Sequence, residues 1–349
     1  MRTLISTMYI ENFSRVVIIA LLCFFIFGCS NKRNSIGMDD EIRVVCSEID
    51  EPLLRTYLSN IFNDTLYAPQ PEPLFKIIFS RPEHYQDLKR YAQIIVAAVN
   101  RNNSNSGYRL LQKLLPNEQL NNSLDDNPML LTRDLYAKDQ IYVILNASNE
   151  EHLYFDIEKN KELLRMHYDE QFKIRGNKFI FEDNQIEIEK KLSQSYKWSI
   201  KVPWGWEVLR DNIKTNFFWM GSEYPYKWIS VKWDDGNYID DQLLVGKQVW
   251  NYPIDNYKSI RFNNHKFKLD RIYFNDFKGW QCSGIWESSD SLEAKGGPFY
   301  SYIFYDDQTD RTFHINTLVH NPGKSKSLYI RQMRLIAKSF KSFSSRSEI

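Results

Sequence analysis

The sequence has few cysteines, few histidines and no excess of either charge. Its 349 residues include four Cys and six His, and 45 Lys and Arg residues face 44 Asp and Glu residues. This balance excludes a globally basic nucleic-acid binder, and we predict no nucleic-acid partner. An apolar fraction of 43% and a charged fraction of 26% exclude a disordered chain and indicate a globular protein of about two domains.

Long apolar runs are also missing. The longest, Val16 to Phe27, has 12 residues, whereas a membrane-spanning helix needs ~20. Such a core is typical of a signal peptide, and Gly28-Cys29 at its end resembles the bacterial lipobox, in which the chain is cut before the Cys and lipidated on its thiol. We predict a lipoprotein signal peptide over residues 1–28, lipidation of Cys29 and a tether over 29–40. The alternative is an ordinary cleaved signal with a chance Cys.

The residues after Cys29 bear on localisation. No Asp follows it, and no acidic run follows either. By bacterial sorting habits, we therefore expect an outer-membrane lipoprotein that faces the periplasm. The acyl chains would hold it there, because each buried methylene contributes ~0.8 kcal/mol.

Two cysteines remain beyond the signal and the lipidated residue, namely Cys46 and Cys282. They could form one disulfide in an oxidising compartment. Both lie in apolar, strand-like runs, which favours two buried free thiols. The sequence has no Cys-x-x-Cys, so thioredoxin-like and Cys-rich zinc chemistry have no support.

Tryptophan divides the chain. All nine Trp lie between Trp198 and Trp286, which predicts two differently built domains. The first, 41–184, alternates strand and helix patterns, among them a strand over Gln93–Val99 and a long helix over Glu150–Phe172. The second, 185–342, crowds strands together before a last helix. The predicted fold class is α+β: an N-terminal α/β sandwich domain, then an antiparallel-sheet domain with flanking helices.

Two shorter stretches complete this division. Residues 100–128 are rich in Asn and Ser, and we predict an excursion from the first domain with one short helix. Residues 343–349 are predicted to be a flexible tail.

Four segments, taken in order, resemble the signatures of a Bacteroidota lipoprotein family catalogued as domain of unknown function 4837. The resemblance covers roughly residues 40–342 and implies an envelope lipoprotein, without supplying an activity or a catalytic residue. The order of elements in the second domain also resembles PsbP-like photosystem accessory proteins, a fold analogy that carries no function. The four segments are Pro69-Gln70-Pro71-Glu72-Pro73-Leu74-Phe75, Trp204-Gly205-Trp206, Gly296-Gly297-Pro298-Phe299-Tyr300-Ser301-Tyr302 and Tyr329-Ile330-Arg331-Gln332.

Motifs of catalysis are scarce. No His-Glu-x-x-His occurs, and no Gly-x-Ser-x-Gly. Gly323-Lys324-Ser325 matches the end of a P-loop, but the Gly that the loop needs five positions earlier is Leu318. We predict instead that Ser325 caps the last helix. We therefore predict no metal, no cofactor and no catalytic residue, and we favour a non-enzyme while leaving an enzyme open.

One candidate binding surface is aromatic. Indoles can stack on sugar rings, and Trp204, Trp206, Tyr226 and Trp228 flank turn-forming Pro and Gly residues. They are the candidate contacts for a glycan or peptidoglycan. The alternative, which we favour, is that Trp fills the core of a sheet, where it buries a large area.

The other candidate surface is the last helix, predicted over about 326–340. Its apolar stripe leaves four cations on the opposite side. They could meet phospholipid headgroups beside the anchor, at ~1 kcal/mol per charge, or an acidic protein. The alternative is a solvated face with cations near a helix C-terminus. The four are Arg331, Arg334, Lys338 and Lys341.

Three functions remain open. The first is a non-catalytic accessory or scaffold lipoprotein that binds an envelope protein partner. The second is a glycan- or peptidoglycan-binding module that uses exposed Trp. The third is an envelope hydrolase without a recognisable motif.

Overall fold

The computed structural model describes residues 32–100, 102–125, 128–290, 292–293 and 295–343. The predicted signal peptide, the lipidation site Cys29 and most of the predicted tail lie outside these ranges.

The first domain is built on a five-stranded sheet in the order β4-β1-β5-β7-β6. The first four of these run parallel, and β6 pairs antiparallel at the edge. Every residue of β5 and β7 is buried, because helices cover both faces of a parallel sheet. The strands of this domain are β1 (Glu41–Val45), β2 (Thr65–Tyr67), β3 (Pro71–Pro73), β4 (Lys76–Ser80), β5 (Gln93–Val99), β6 (Met129–Arg133) and β7 (Ile141–Ala147).

Helices form the outer layers of this sandwich. The first and fifth pack on one face of the sheet, and the second, third and fourth pack on the other. The described residues of the stretch 100–128 are therefore part of the sandwich rather than an excursion from it, since Tyr108, Leu111 and Leu120 are buried in its core. The helices are α1 (Glu51–Ile61), α2 (Tyr85–Leu88), α3 (Ser106–Leu114), α4 (Asn117–Asp125) and α5 (Glu150–Ile180).

The second domain contains a seven-stranded antiparallel sheet in the order β12-β13-β14-β15-β11-β10-β9. Helices α6 and α8 pack on one face and α7 packs on the other. Together with the first domain this confirms the predicted α+β class. Its elements are α6 (Ile186–Tyr196), β8 (Trp198–Ser199), β9 (Glu207–Asn212), β10 (Phe217–Ser222), β11 (Tyr226–Asp235), α7 (Gln242–Asn256), β12 (Ile260–Phe274), β13 (Phe277–Ser288), β14 (Gly296–Asp306), β15 (Arg311–His320), α8 (Ser327–Lys338) and β16 (Lys341–Ser342).

Helix α5 belongs to both domains. Leu164 and Tyr168 lie in the first core, whereas Ile180 lies in the second. Gly176 marks the close crossing of α5 and α8, because a Cβ there would lie 2.7 Å from Leu335 Cδ1. This 31-residue helix therefore joins the two cores.

Helix α8 is covered from two sides. Ile330, Met333 and Ile336 pack into the core of the second domain. Arg331 and Gln332, on another side of the helix, are also buried. The prediction that the face opposite the apolar stripe is solvated is therefore wrong along most of α8, because the first domain covers that face.

The start of β14 departs from the turn that Gly-Gly-Pro favours. Gly296 and Gly297 are inside the strand and pair with Glu287 and Trp286 of β13. A Cβ at Gly297 would overlap the Val319 carbonyl oxygen. The glycine thus permits close approach of two strands.

The predicted tether is docked along its described part. The Ile36 amide donates to the Arg90 carbonyl at 3.1 Å, and the Ile36 carbonyl accepts from the Ala92 amide at 2.8 Å. Arg175 of α5 holds the Asp39 carboxylate at 2.7 Å. Residues 34–39 thus extend the first domain instead of forming a free linker.

Cys46 and Cys282 are buried and form no disulfide within the described residues, which confirms the interpretation as free thiols. Burial, followed by the charge of Asp50, raises the pKa of the Cys46 thiol to about 12. In the described ranges, no helix combines the length and apolar character that a membrane crossing needs.

Candidate functional site

The structure does not bring the four predicted sugar-contacting residues onto one surface. Side chains alternate between the faces of a strand, and on β11 Tyr226 and Trp228 point to the side of α7. Trp228 lies 5.5 Å from Tyr226 and 5.9 Å from Trp286, centroid to centroid. Trp206 lies on the opposite side, where Lys227 approaches its ring. The sheet therefore separates the four residues into two groups.

Trp204 and Trp206 also differ in exposure. Trp206 is 4% exposed and belongs to the core of the second domain, whereas Trp204 is 78% exposed. Gly205 between them has a φ of +76°, a conformation that glycine adopts without strain. This turn buries one indole and leaves the other in solvent.

Trp204 stands beside a cavity of about 280 Å³, which we call the tryptophan cleft. Its lining includes Lys227, whose Nζ lies 5.9 Å from the Trp206 ring and 6.0 Å from the Tyr329 ring. Burial lowers the pKa of Lys227. The cleft thus combines one exposed indole with one half-buried cation. It is lined by Phe179, Ile180, Glu182, Asp183, Pro203, Trp204, Trp206, Lys227, Gln332 and Ile336.

Arg331, predicted on an exposed basic face, is instead buried between the domains. Its guanidinium donates to the Leu74 carbonyl at 2.8 Å and to Asp169 Oδ1 at 3.1 Å. The same group lies 3.6 Å from the Phe172 ring centroid and 4.5 Å from that of Phe75. Burial lowers the Arg331 pKa to about 10. Arg331 thus holds α8 against the first domain and is not available to a membrane.

The N-terminus of α8 is also held by the first domain. Glu72 Oε2 accepts from the amides of Lys326 at 2.6 Å and Ser327 at 2.8 Å, and from the Ser325 hydroxyl at 2.9 Å. A carboxylate at this end satisfies free amides and complements the helix dipole. The prediction that Ser325 caps the helix is therefore wrong, because Glu72 takes that place.

The remaining predicted cations differ among themselves. Arg334 is half-buried and lies 4.7 Å from the Tyr300 ring. Lys338 and Lys341 are exposed and line a cavity of about 940 Å³. Lys173 of α5 and Lys201, which follows β8, also line this cavity. We call this cavity, with these four lysines, the lysine cleft.

The lysine cleft is strongly cationic. Asp276 is the only acidic residue in its described lining. Over the ranges described, none of the four lysines has a carboxylate within 4.0 Å, in contrast to Lys178, which pairs with Asp139 at 2.6 Å. Burial, followed by the charges of Arg334 and Lys173, lowers the pKa of Lys338.

Aromatic rings contact two of the four lysines. Lys338 Nζ lies 4.3 Å from the Phe274 ring, and Lys201 Nζ lies 4.7 Å from the Phe181 ring. These rings contact the ammonium groups without neutralising their charge. The arrangement suits an anionic ligand, since bound anions relieve the repulsion among four like charges.

Sequence reasoning missed Lys173 and Lys201. They are far from Lys338 in sequence, and neither belongs to a charge run. A long α5 was predicted, but nothing local showed that its second half crosses α8. The missing signal is tertiary: the crossing at Gly176 brings the lysines of three segments together.

Histidines and carboxylates offer no comparable cluster. In the described ranges, no group of three or more His, Cys, Asp or Glu could hold a metal ion. His314 is buried against the Tyr252 ring at 3.9 Å between centroids, and burial lowers its pKa to about 3. His320 lies 2.8 Å from the Gly296 carbonyl through Nδ1. Both are integrated into the second domain.

Comparisons with known proteins extend this description. The chain is similar to a solved mutant of the protein Mog1 and to the Saccharomyces cerevisiae Ran-binding protein Mog1p, each at 11% identity over 43% of this chain and 92% of that chain, with TM-scores of 0.29 and 0.30. A Bacteroides thetaiotaomicron structure matches at 10% identity over 44% of this chain and 47% of that chain, with a TM-score of 0.28. At these TM-scores the likenesses carry no argument about function. No curated protein matches the sequence.

Two families match separate parts of the chain. Residues 35–174, most of the first domain, match the family described as "Domain of unknown function (DUF8532)", which was not predicted. The predicted resemblance is confirmed over residues 253–339, which match the family described as "Domain of unknown function (DUF4837)". The segments at 69–75 and 204–206 lie outside this match.

Proposed function

We propose that this protein is a non-catalytic accessory lipoprotein of the bacterial cell envelope that binds an acidic segment of a protein partner in the lysine cleft. The observation that carries the proposal is a cavity of about 940 Å³ bordered by four lysines and one acidic residue. The predicted lipid on Cys29 would hold the protein at the outer membrane, facing the periplasm.

The shape of the site favours a protein segment over a flat lipid surface. The predicted basic stripe would have offered four cations in one plane, but Arg331 is buried and Arg334 lies against Tyr300. The lysines that remain border a recess between α5, α8 and the turn at Asp276. An extended acidic chain can enter such a recess, whereas a bilayer meets only its rim.

The strength of this interaction depends on salt. Single exposed ion pairs contribute about 0.2–1 kcal/mol each, so the four lysines together supply a moderate affinity. Interactions between exposed charges weaken as the Debye length falls from about 10 Å at 0.1 M salt to about 3 Å at 1 M. We therefore expect the affinity for an acidic segment to fall steeply with ionic strength.

The test is a titration of a fluorescein-labelled peptide of eight glutamates with the full chain, followed by fluorescence anisotropy. The test variant replaces the four lysines of the cleft by Gln, and we expect the affinity to fall about tenfold or more. The control variant replaces four exposed lysines outside the cleft by Gln, which changes the net charge equally. These control residues are Lys113, Lys159, Lys214 and Lys247.

Two results would contradict the proposal. Equal losses in both quadruple variants would show that net charge, rather than the cleft, attracts the peptide. The second comes from vesicles containing phosphatidylglycerol, tested with a Cys29→Ser chain that carries no acyl group. Tight vesicle binding that depends on the cleft lysines, without peptide binding, would assign the cleft to the membrane.

The tryptophan cleft supports a second candidate function, the binding of an acidic glycan such as a peptidoglycan fragment. Trp204 offers an exposed indole for stacking, and Lys227 offers a cation for a carboxylate. Titration with solubilised peptidoglycan should shift the tryptophan emission. The shift should be lost in Trp204→Ala and kept in Trp250→Ala, which removes a partly exposed indole on α7. A flat response would reject this function.

A further inference from the structure

The strand order of the first domain creates a crevice that neither proposed function uses. From β1 the chain passes through α1 to β4 on one side, whereas β5 lies on the other side of β1. The loop after β1 leads to α1 and the loop after β5 leads to α3, and these helices pack on opposite faces. The two loops therefore separate at the carboxyl ends of the strands, where open α/β sheets characteristically bind ligands.

This crevice has a cavity volume of about 400 Å³, which is within the range of small-molecule sites. We call it the switch-point crevice. Its lining is mostly polar and includes Ser47, Asp50, Asn100, Asn102, Asn105 and Glu150.

The floor of the switch-point crevice is fixed by buried hydrogen bonds. Asp50 Oδ2 accepts from Asn105 Nδ2 at 2.8 Å and from the Val99 amide at 3.2 Å. Asn105 Oδ1 in turn accepts from the Tyr108 amide at 3.1 Å and caps α3. A Cβ at Gly107 would lie 2.8 Å from the Ala97 carbonyl oxygen, so glycine lets α3 begin directly against β5.

Ser47 is the independent sign of a ligand. It is 4% exposed and lines the crevice, yet its hydroxyl oxygen has no hydrogen-bond partner in the described part of the chain. Buried hydroxyls in folded proteins are generally paired. That oxygen is closed to solvent, so a polar group in the crevice would become its partner only with a shift of the loop after β1.

Two tyrosines lie next to Glu150, one of the lining residues. The Tyr57 hydroxyl donates to Glu150 Oε1 at 3.2 Å. The rings of Tyr57 and Tyr154 lie 5.5 Å apart, and Tyr154 is 49% exposed. Carboxylate, amide and hydroxyl groups therefore line the crevice itself.

We propose that the switch-point crevice binds a neutral saccharide of about monosaccharide size. Amide and hydroxyl side chains can both donate to and accept from sugar hydroxyls, and carboxylates accept from them. The carboxylates of Glu48, Asp50 and Glu150 line the crevice and disfavour an anionic ligand. This site lies in the first domain and does not depend on the lysine cleft.

The experiment is isothermal titration calorimetry of the full chain with D-glucose, D-galactose, D-mannose and N-acetyl-D-glucosamine in turn. We expect saturable binding of at least one sugar, weakened about tenfold by Ser47→Ala and by Glu150→Ala. Ser222→Ala is the matched control, because Ser222 also carries a buried hydroxyl oxygen without a partner in the described ranges, and it lies in the second domain. The Ser222→Ala chain should bind the sugar with the same affinity as the unchanged chain.

Tryptophan emission separates this site from the tryptophan cleft. All nine Trp lie in the second domain, so a sugar in the switch-point crevice should leave the emission unchanged. Absence of binding by all four sugars would overturn the proposal, as would binding that survives both Ser47→Ala and Glu150→Ala. Binding of spermidine without any sugar would also overturn it, since the acids would then select a cation. Urea midpoints of the variants verify that they are folded.

Discussion

The two domains differ in how they use aromatic residues and where they leave clefts. The second domain contains all nine Trp, and five of them are less than 5% exposed. The first domain has no Trp and places a polar crevice at the carboxyl ends of β1 and β5. Most of the Trp in the second domain therefore fill its core and do not form a binding surface. Recesses instead follow from strand order and from the crossing of α5 with α8.

At the domain junction, too, residues that stand out in the sequence have a structural role. Glu72 caps α8, and Arg331 contacts Leu74 and Phe75. Residues of the segments 69–75 and 329–332 thus meet each other across the junction. Their role in this chain is to join the domains, and the lysine cleft lies where the junction ends.

The largest effect on stability should come from removing the buried one of two neighbouring indoles, Trp206 and Trp204. Trp206→Ala should lower the free energy of unfolding by about 3–5 kcal/mol, because it empties a core position. Trp204→Ala should cost less than about 1 kcal/mol, since the ring is 78% exposed and surface substitutions cost little. Urea denaturation measures both. Equal losses would break the distinction between a core indole and a surface indole.

The next effect concerns the junction. Arg331→Ala should cost about 3 kcal/mol, because charge-assisted hydrogen bonds and two ring contacts are lost together. Arg261→Ala is the control; its ion pair with Glu287 is at the surface and should contribute less than about 1 kcal/mol. Urea midpoints report the difference. An Arg331→Ala chain as stable as Arg261→Ala would show that the junction does not depend on this guanidinium.

Replacement of two different glycines by alanine should change the stability in opposite directions. Gly297→Ala should destabilise the second domain by about 2–3 kcal/mol, because its Cβ would overlap the Val319 carbonyl and overpacking is costly. Gly246→Ala should stabilise α7 by about 1 kcal/mol, since the nearest atom to its Cβ is 3.8 Å away and alanine favours helix. Thermal unfolding tests both signs. Stabilisation by Gly297→Ala would contradict the close approach of β14 and β15.

Local sequence patterns predict where the helices and strands of this fold lie, but they do not predict which elements contact each other. The strand at Gln93–Val99 was predicted with its observed bounds, because its continuous apolar sequence is typical of a strand buried on both faces. The start of α5 at Glu150 was also predicted. Its end was not, because a solvated helix and a helix that enters a second core share the same periodicity.

The candidate sites depend on contacts that no local pattern shows. The Arg331 guanidinium contacts a carbonyl 257 positions away, so its burial could not be inferred from α8 alone. Lys338 and Lys341 were predicted as a surface, but Lys173 and Lys201 come from other elements. The stretch 100–128 was interpreted by its composition, although Asn105 in it is a buried helix cap.

The smallest effect is a dependence of stability on pH that arises in the second core. Burial lowers the pKa of His314 to about 3 from an ordinary 6.5, so the unfolded chain binds the proton first. The stability that the buried neutral His314 contributes is therefore fully present above pH 6.5, and it is lost as the pH falls towards 3. At pH 5.5 the loss of unfolding free energy is about 1 kcal/mol. His314→Gln should remove this part of the slope in urea denaturation between pH 7.5 and 5.5. An unchanged slope would show that His314 is not buried as the neutral form.

Hydrogen–deuterium exchange of the full chain, with and without the eight-glutamate peptide, locates the surface that binds an acidic segment. We expect slower exchange around residues 173–181 and 335–343, which border the lysine cleft, and no change around Trp204 or at the ends of β1 and β5. Protection at the tryptophan turn instead, with none beside the lysines, would contradict the claim that binding lies in the junction cleft.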